Sequence, residues 1–166
     1  MRKAGAVFLD RDGVINRERG QHTWKREDLE VLPGVGKGIS ALRDLGYKVI
    51  VITNQSGIGL GLYGHKDVEE LHRYIHSMLS AEGAVIDDMF YCPHHPSFGK
   101  CLCRKPGSLL IERAIGKHQV DVSRSVMIGD RDRDVEAAER VGMRGMLVRA
   151  NSSLIDTLKE AELIRC

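Results

Sequence analysis

The sequence predicts an α/β protein built on a doubly wound, Rossmann-like parallel sheet of about five strands. Short apolar, β-branched segments alternate along the chain with longer segments whose apolar residues recur at helical spacing. This is the pattern of parallel strands joined by crossover helices. The first of these segments, Ala6–Leu9, is apolar without alternation, as expected for a strand covered by helices on both faces.

The first half of the chain is predicted to hold two strands and two helices. A polar stretch without a sustained period, residues 16–30, follows the first strand. Apolar residues at helical spacing over 35–45 then predict a helix, which Gly46 would end as a C-terminal glycine. Residues 47–53 are β-branched and nearly all apolar, which predicts the second strand. A glycine-rich loop leads from there to a helix over 68–79.

The second half repeats this alternation, with strands predicted at 89–91, 125–128 and 145–148. An irregular insertion covers 92–103, and Pro106 and Gly107 are expected to open a helix that contains the apolar residues 109–111 and 114. Further helices are predicted over 134–141 and 153–160. Because no linker interrupts the series, residues 1–166 are expected to form a single domain. No connection leaves room for a large cap domain.

Composition narrows the range of partners. The chain has 166 residues, of which 42% are hydrophobic, enough for one core. A net charge of +2 and 5% aromatic residues argue against nucleic-acid and membrane partners. No apolar run approaches the ~20 residues of a membrane span, so we expect a cytoplasmic protein. We also expect it to be a monomer. In a reducing compartment the neighbouring Cys92, Cys101 and Cys103 are better explained as metal ligands than as half-cystines, and Cys166 has no expected role.

Two carboxylates, Asp10 and Asp12, lie one residue apart where the first strand gives way to Gly13. Side chains alternate in extended chain, so both could project to one side and reach a single phosphorus or metal centre. Ligands of open α/β sheets bind at the carboxyl ends of strands. We interpret the pair as a phosphorylatable aspartate with a proton-handling partner; the alternative is an Asp-Gly turn that merely closes the strand.

Other polar residues should converge on the same rim. Thr53, Asn54 and Asp130 follow later strands, and Lys105 precedes a helix that returns toward the sheet. Asp10 and Asp130 could hold Mg²⁺ through oxygen ligands. Two unit charges ~4 Å apart repel by roughly 4 kcal/mol at an effective dielectric of 20, so an anionic nucleophile needs cations beside it to approach a phosphate. The Thr53 hydroxyl, the backbone amides after it and the Lys105 ammonium would hold phosphoryl oxygens.

Four segments resemble the motifs of haloacid dehalogenase superfamily phosphatases: residues 8–13, 53–57, 104–106 and 129–134. The resemblance implies that Asp10 is the nucleophile that forms an aspartyl-phosphate. It implies that Asp12 protonates the leaving oxygen and then activates water. It also implies a Mg²⁺ bound by Asp10, Asp130 and the backbone carbonyl of Asp12, with Asp134 orienting Lys105 or a metal-bound water.

Further residues of these motifs are expected to bind the phosphate or the rest of the substrate. They are Thr53, Asn54, Gln55, Ser56, Arg104, Lys105 and Arg131. Arg104 and Arg131 could equally be solvated surface arginines.

The insertion over 92–103 contains three cysteines and two histidines. Three thiolates and one imidazole would complete a closed, structural zinc site; free thiols in a loop are the alternative. The insertion resembles the zinc loop of the histidinol-phosphate and heptose-bisphosphate phosphatase branch. That resemblance implies Zn²⁺ ligation by Cys92, His94, Cys101 and Cys103, with His95 as the rival nitrogen. A ligated Cys103 would fix Arg104 and Lys105 at the rim.

Specificity must come from loops: residues 16–24, residues 57–65 and the zinc loop. Their cationic groups Arg17, Arg19, His22 and Arg104 could receive a second anionic group of the substrate. The resemblance is strongest to the heptose-bisphosphate phosphatases, although Leu60 stands where those commonly carry arginine. It implies a small phosphorylated sugar as substrate and removal of the 7-phosphate of D-glycero-D-manno-heptose 1,7-bisphosphate, on the route to ADP- or GDP-heptose and lipopolysaccharide or other surface sugars. The alternative is histidinol phosphate.

Overall fold

The computed structural model describes residues 3–165 and confirms the α/β architecture. In this part of the chain the strands are β1 Ala6–Leu9, β2 Lys48–Asn54, β3 Asp88–Cys92, β4 Val126–Gly129 and β5 Arg144–Leu147. The α-helices are α1 Val35–Asp44, α2 His65–Ala81, α3 Leu109–His118, α4 Asp132–Glu139 and α5 Leu154–Glu160. Short 3₁₀ helices cover Arg26–Asp28, Pro96–Phe98 and Val122–Arg124.

The five strands form one parallel sheet in the order β3-β2-β1-β4-β5. Val7 of the central strand β1 pairs with Val49 of β2 on one side and with Val126 of β4 on the other. The first three strands therefore extend the sheet from β1 to β3 in one direction. The chain then crosses to the other side of β1, where it forms β4 and β5. Ligands of doubly wound sheets bind where the direction reverses, which here is the carboxyl end of β1 and β4.

Alternate side chains of β1 enter two separate cores. Val7 and Leu9 pack with apolar residues of α1, α2 and α5, whereas Ala6 and Phe8 pack with those of α3 and α4. All four β1 residues are fully buried. Helices on both faces explain why this strand is continuously apolar in sequence.

Gly46 ends α1 as predicted. It has a positive φ of 82°, and the N–H of Tyr47 donates to the carbonyl of Leu42 at 3.0 Å while the N–H of Gly46 donates to the carbonyl of Arg43 at 2.9 Å. This is a Schellman motif, whose left-handed residue is usually glycine.

Several helix boundaries differ from the prediction; α2, for example, covers His65–Ala81 instead of 68–79. Two of the differences have a clear local cause. Helix α3 begins at Leu109 instead of at Pro106, because the N–H of Gly107 donates to the carbonyl of Arg104 in a preceding turn. Helix α4 begins two residues earlier than predicted, at Asp132, because the Asp134 side chain accepts the N–H of Arg131 at 3.0 Å and stabilises the first turn.

The connections that leave the carboxyl ends of the first three strands are loops and 3₁₀ turns: residues 10–34 after β1, 55–64 after β2 and 93–108 after β3. They contribute no α-helix and no strand of the sheet. Among the helices described, none has the length and hydropathy required to cross a bilayer.

Candidate active site

The carboxyl ends of β1, β2 and β4 meet at one rim of the sheet. The N–H of Asp10 still donates to the carbonyl of Ile128 at 3.0 Å, so the pairing between β1 and β4 continues to the first predicted site residue. A cavity of about 280 Å³ opens at this rim. Its lining residues are Asp10, Asp12, Glu18, Gly20, Gln21, His22, Thr23, Asn54, Gln55, Asp130, Arg131 and Arg133.

Lys105 is buried at this rim between two carboxylates. Its Nζ lies 3.0 Å from Asp10 Oδ1 and 2.6 Å from Asp134 Oδ1, and it donates to the carbonyl of Ile52 at 2.6 Å. Burial alone would lower the pKa of Lys105, but the charges of Asp10 and Asp134 raise this pKa above its usual value. Lys105 is therefore a fixed cation directly beside the predicted nucleophile.

Burial raises the pKa of Asp10 to about 7. Lys105 opposes this shift, whereas the charges of Asp134 and Asp12 add to it. An additional cation beside Asp10 would favour its ionised form, which is the form that can act as a nucleophile.

Asp130 is the second predicted metal ligand, and its side chain is only 2% exposed. Both of its carboxylate oxygens are buried without a hydrogen-bond partner among the described residues. Arg131 Nε, a nearby cationic nitrogen, lies 3.7 Å from Asp130 Oδ2, beyond hydrogen-bond distance. A buried carboxylate without donors is costly, so these oxygens fit the requirements of a cation ligand.

Carboxylate oxygens of Asp10, Asp130 and Asp134 all lie within 4.8 Å of one another. Asp134 already contacts Lys105 through Oδ1 and accepts the N–H of Arg131 through Oδ2. Asp10 and Asp130 are therefore the two carboxylates of this cluster better placed to bind Mg²⁺. Gly13 has a φ of +90°, and a Cβ there would approach Asp130 Oδ2 within 2.5 Å, so glycine leaves room for this carboxylate.

The carboxylate of Asp12 is held on both oxygens. Oδ1 accepts from Arg11 Nη2 at 3.0 Å and from Asn16 Nδ2 at 2.9 Å, and Oδ2 accepts from Gln55 Nε2 at 3.1 Å. Burial alone would raise the pKa of Asp12, but the Arg11 charge and the hydrogen bonds outweigh it and hold this pKa below its usual value. Sequence reasoning missed Arg11 and Asn16, although both lie within six residues of Asp10.

The last residues of β2 and the turn that follows it support the rim. The Asn54 side chain accepts the N–H of Lys105 at 3.0 Å and donates to the carbonyl of Lys105 at 3.2 Å. Gln55 Nε2 donates to Thr53 Oγ1 at 2.9 Å as well as to Asp12, and the Gln55 backbone N–H donates to the carbonyl of Cys92 at 2.8 Å. Gln55 could therefore bind a phosphoryl oxygen only by giving up one of these bonds. Thr53 is buried, and Ser56 is partly exposed in the following turn.

Of the candidate cationic groups, the structure places His22 and Arg131 in the cavity, and Arg133, which was not predicted, joins them. Arg17 and Arg19 lie elsewhere. Their side chains pair with Glu30 at 2.7 Å and with Asp28 at 3.4 Å, and neither residue lines the cavity. Asp28 and Glu30 could have indicated these ion pairs from the sequence, since an exposed arginine near acidic residues has local partners.

Arg104 lies on a neighbouring cavity of about 620 Å³, together with zinc-loop residues and Lys105. Burial lowers the pKa of Arg104, and the charge of Arg133 lowers this pKa further. The two arginines are therefore close enough to influence each other across the boundary between the two cavities.

Cys92, His94, Cys101 and Cys103 form a compact cluster at the end of β3. Cys92 Sγ lies 3.7 Å from Cys101 Sγ, 3.5 Å from His94 Nδ1 and 3.1 Å from Cys103 Sγ. Zn–S bonds of about 2.3 Å in a tetrahedron separate sulfurs by about 3.8 Å, so the cluster is compatible with zinc.

His95 lies outside this cluster. Its Nδ1 accepts the N–H of Ser97 at 3.1 Å, so the geometry favours His94 over its rival. The N–H of Arg104 donates to Cys101 Sγ at 3.4 Å, which joins the cluster to the segment that carries Lys105. Cys166 lies outside the described residues.

Comparison with known proteins agrees with this geometry. The HAD-hydrolase-like family model matches residues 102–164. The chain is 38% identical to D-glycero-alpha-D-manno-heptose-1,7-bisphosphate 7-phosphatase of Photorhabdus laumondii, over 97% of this chain and 91% of that protein. It is 42% identical to D-glycero-beta-D-manno-heptose-1,7-bisphosphate 7-phosphatase of Rhodopseudomonas palustris, over 84% and 81%.

Among solved structures, the chain matches the D,D-heptose 1,7-bisphosphate phosphatase of B. bronchiseptica in complex with magnesium and phosphate. The TM-score is 0.82 and the identity 32%, over 94% of this chain and 86% of that one. The similarity therefore extends over nearly the whole chain. The chain belongs to the haloacid dehalogenase superfamily of phosphatases, in the branch that contains the heptose-bisphosphate phosphatases.

Proposed function

We propose that this phosphatase removes the 7-phosphate of D-glycero-D-manno-heptose 1,7-bisphosphate in a Mg²⁺-dependent reaction. The observation that carries the proposal is the similarity to heptose-bisphosphate 7-phosphatases over up to 97% of the chain. These relatives include enzymes named for the alpha and for the beta anomer. They give no support to histidinol phosphate as the substrate.

In the first half of the proposed reaction, an Asp10 carboxylate oxygen attacks the phosphorus of the 7-phosphate. A bond forms between Asp10 and phosphorus while the bond to the sugar oxygen breaks, and Asp12 gives its proton to that leaving oxygen. A phosphate dianion bound beside Asp12 favours the protonated form that this step requires. Lys105, the Thr53 hydroxyl and backbone amides after Thr53 hold the phosphoryl oxygens, but the N–H of Gln55 is not among them because it donates to the carbonyl of Cys92.

In the second half, the Asp12 carboxylate takes a proton from water as the water oxygen bonds to phosphorus. The bond between Asp10 and phosphorus breaks, and the proton that Asp12 has accepted restores its acid form for the next turnover. Since Lys105 contacts Asp10 at 3.0 Å, it stabilises the carboxylate that leaves in this step.

We propose that Asp10, Asp130 and the backbone carbonyl of Asp12 hold Mg²⁺. The buried carboxylate oxygens of Asp130, which lack donors among the described residues, support this assignment. When bound, Mg²⁺ supplies positive charge that offsets the repulsion between Asp10 and the phosphate. Asp134 is proposed to orient Lys105, because its Oδ1 lies 2.6 Å from Lys105 Nζ.

We further propose that Cys92, His94, Cys101 and Cys103 hold a structural Zn²⁺. A closed site with four protein ligands leaves no position for substrate, so its effect on turnover would be indirect. It would fix the backbone of Arg104 and Lys105, which directly follow Cys103.

For the second anionic group of the substrate we propose His22, Arg131 and Arg133, which line the cavity, and Arg104, which lies beside it. We also propose that the whole chain is one domain that acts as a monomer, since a single chain supplies every residue of the rim. The predicted cytoplasmic location agrees with three free cysteines in the cluster. The heptose product would then be consumed in the synthesis of nucleotide-activated surface sugars.

The test compares phosphate release from both anomers of heptose 1,7-bisphosphate and from histidinol phosphate, with Mg²⁺, as kcat/KM. We expect at least one heptose anomer to be preferred over histidinol phosphate by about 100-fold or more. Equal values, or a preference for histidinol phosphate, would contradict the proposed substrate.

Asp10→Asn should retain the fold but lower turnover to below about one-thousandth of wild type, because an amide is a poor nucleophile.

A further inference from the structure

Arg11 lies between Asp10 and Asp12 in the sequence, and its side chain is completely buried. Its Nη2 donates to Asp12 Oδ1 at 3.0 Å and to the backbone carbonyl of Thr23 at 2.5 Å. Its Nη1 lies 3.2 Å from Nε2 of His72. A buried guanidinium is costly unless its N–H groups are paired. These three contacts involve Nη1 and Nη2, whereas the buried Nε has no hydrogen-bond partner among the described residues.

His72 belongs to α2 and is 7% exposed. The guanidinium can only donate hydrogen bonds, so Nε2 of His72 must carry a lone pair and act as the acceptor. His72 is therefore neutral in this contact, with its ring proton on Nδ1. Its lowered pKa, about 3, agrees with this state: burial lowers it, and the Arg11 charge lowers it further.

The same guanidinium joins three parts of the site. Through Asp12 it reaches the proposed acid, and through the Thr23 carbonyl it reaches the loop that lines the catalytic cavity. Through His72 it is anchored to a 17-residue helix of the main core. The contact with α2 thus fixes the guanidinium of Arg11, and the guanidinium in turn fixes the Asp12 carboxylate at the cavity.

The other oxygen of Asp12 has comparable support. Gln55 Nε2 donates to Asp12 Oδ2 at 3.1 Å, and the hydroxyl of Tyr63 donates to Gln55 Oε1 at 3.0 Å. This second bond determines which end of the amide faces Asp12. Tyr63 in turn stacks on Trp24, with ring centroids 5.6 Å apart. Oδ1 and Oδ2 are therefore held from different elements.

We propose that His72 is a positioning residue that fixes Arg11, and through Arg11 the carboxyl group of Asp12, for proton transfer to the leaving oxygen of the substrate. The inference rests on the proposed role of Asp12. An acid must lie within hydrogen-bond reach of the atom it protonates, and a small displacement is enough to slow the transfer. His72 itself does not line the catalytic cavity, and it reaches Asp12 through Arg11.

The test compares two substrates whose leaving groups differ in their need for a proton. A sugar alkoxide needs a proton as it leaves, whereas p-nitrophenolate leaves without one. His72→Leu removes the acceptor at similar volume and should slow single-turnover formation of sugar monophosphate about tenfold, with the burst of nitrophenolate changed less than about twofold. His72→Gln, whose amide oxygen can accept from Arg11, should recover most of the sugar rate. His76→Leu, on the exposed face of the same helix, is the matched control.

Equal losses with both substrates, or no loss in His72→Leu, would overturn the inference. If His72→Leu fails to fold, His72→Met takes its place, because a flexible apolar side chain fills irregular space. Asp12→Asn is the reference variant and should show the same selective loss with the sugar substrate. If Asp12→Asn shows it and the His72 variants do not, only the inference fails. If Asp12→Asn does not, the proposed role of Asp12 fails as well.

The comparison does not require heptose to be the substrate. If heptose 1,7-bisphosphate is not hydrolysed, a simple alkyl phosphate that the wild-type enzyme cleaves supplies the alkoxide leaving group. A failure of the proposed substrate is thereby separated from a failure of the positioning role.

Discussion

Asp134 Oδ1 lies 2.6 Å from Lys105 Nζ, and both side chains are almost completely buried. Asp134 comes from the first turn of α4, whereas Lys105 follows the Cys/His cluster. The contact therefore joins two segments that are distant in sequence at the point where Lys105 also reaches Asp10. Lys105 Nζ donates hydrogen bonds to Asp10 Oδ1 and to the carbonyl of Ile52 and forms an ion pair with Asp134, so its position is fixed while one N–H bond is left for a phosphoryl oxygen.

Replacement of Asp134 by asparagine should reduce both stability and turnover. The amide keeps the volume but removes the charge that pairs with Lys105, and a broken buried ion pair costs roughly 3–5 kcal/mol when a charge is left unpaired. Because Asp10 still pairs with Lys105, we expect the lower end of this range, with kcat lowered by about 100-fold. Urea unfolding and phosphate release measure the two effects.

Asp132→Asn is the matched control, because Asp132 is the exposed first residue of the same helix. It should change the free energy of unfolding by less than about 0.5 kcal/mol. A similar loss in both variants would mean that charge at the helix N-terminus, and not the contact with Lys105, is the cause.

The convergence of Asp10, Asp130 and Lys105 could be predicted from sequence. Each aspartate directly follows an apolar segment, and the carboxyl ends of parallel strands share one edge of the sheet. Lys105 was identified through a motif whose neighbours in sequence are close in space. These predictions needed only the strand direction and the local motif.

The partners of Arg11 could not be predicted in this way. A charged residue next to an aspartate at a strand end is usually solvated, and His72 lies 61 positions further along the chain. Only tertiary packing brings the two side chains together. The contacts of Gln55 could not be predicted for the same reason. Nothing in the sequence near a glutamine of a phosphate-binding motif indicates that its side chain donates to Asp12.

Removal of zinc should destabilise the protein and lower activity together. Four ligands contributed by β3 and the following loop close the proposed site, so loss of the ion frees the segment that carries Arg104 and Lys105. Structural zinc sites contribute several kcal/mol to folding. We expect Cys103→Ser to lose bound zinc, measured by elemental mass spectrometry, and to lower Tm by roughly 10 °C or more.

His94→Ala and His95→Ala provide the sharper comparison, because the two residues are adjacent and only His94 belongs to the cluster. His94→Ala should reduce zinc content, and His95→Ala should retain one zinc per chain. The opposite result would reassign the nitrogen ligand. Full zinc content in both variants would contradict a four-ligand site that includes a histidine.

Asn151 should influence substrate binding from outside the cavity. Its side chain accepts the N–H of Glu18 at 2.7 Å and donates to the carbonyl of Glu18 at 3.2 Å, where the cavity-lining loop begins. Its φ is 65°, a conformation that glycine adopts easily. Asn151→Gly therefore removes the two side-chain bonds while the backbone is retained.

We expect Asn151→Gly to raise KM for the sugar phosphate about fivefold, with kcat changed less than about twofold, because a looser loop weakens binding more than chemistry. Steady-state kinetics measure both values. Ser152→Ala is the control, since its hydroxyl donates only to the nearby carbonyl of Arg149. A fall in kcat at constant KM would show that the loop acts on the chemical step instead.

His72 should make the protein sensitive to acid. Burial, and then the Arg11 charge, lower the pKa of His72 from 6.5 to about 3 in the folded state. Between these values the unfolded chain binds a proton at this position and the folded protein does not, so this contribution to stability falls as the pH decreases below 6.5. At pH 5 the loss is roughly 2 kcal/mol, at 1.36 kcal/mol for each pH unit.

His72→Gln cannot titrate, so its free energy of unfolding, measured in urea, should fall less than that of wild type between pH 7 and pH 5. Parallel pH profiles for the two proteins would mean that His72 is protonated in the folded state, which would contradict its role as the acceptor for Arg11.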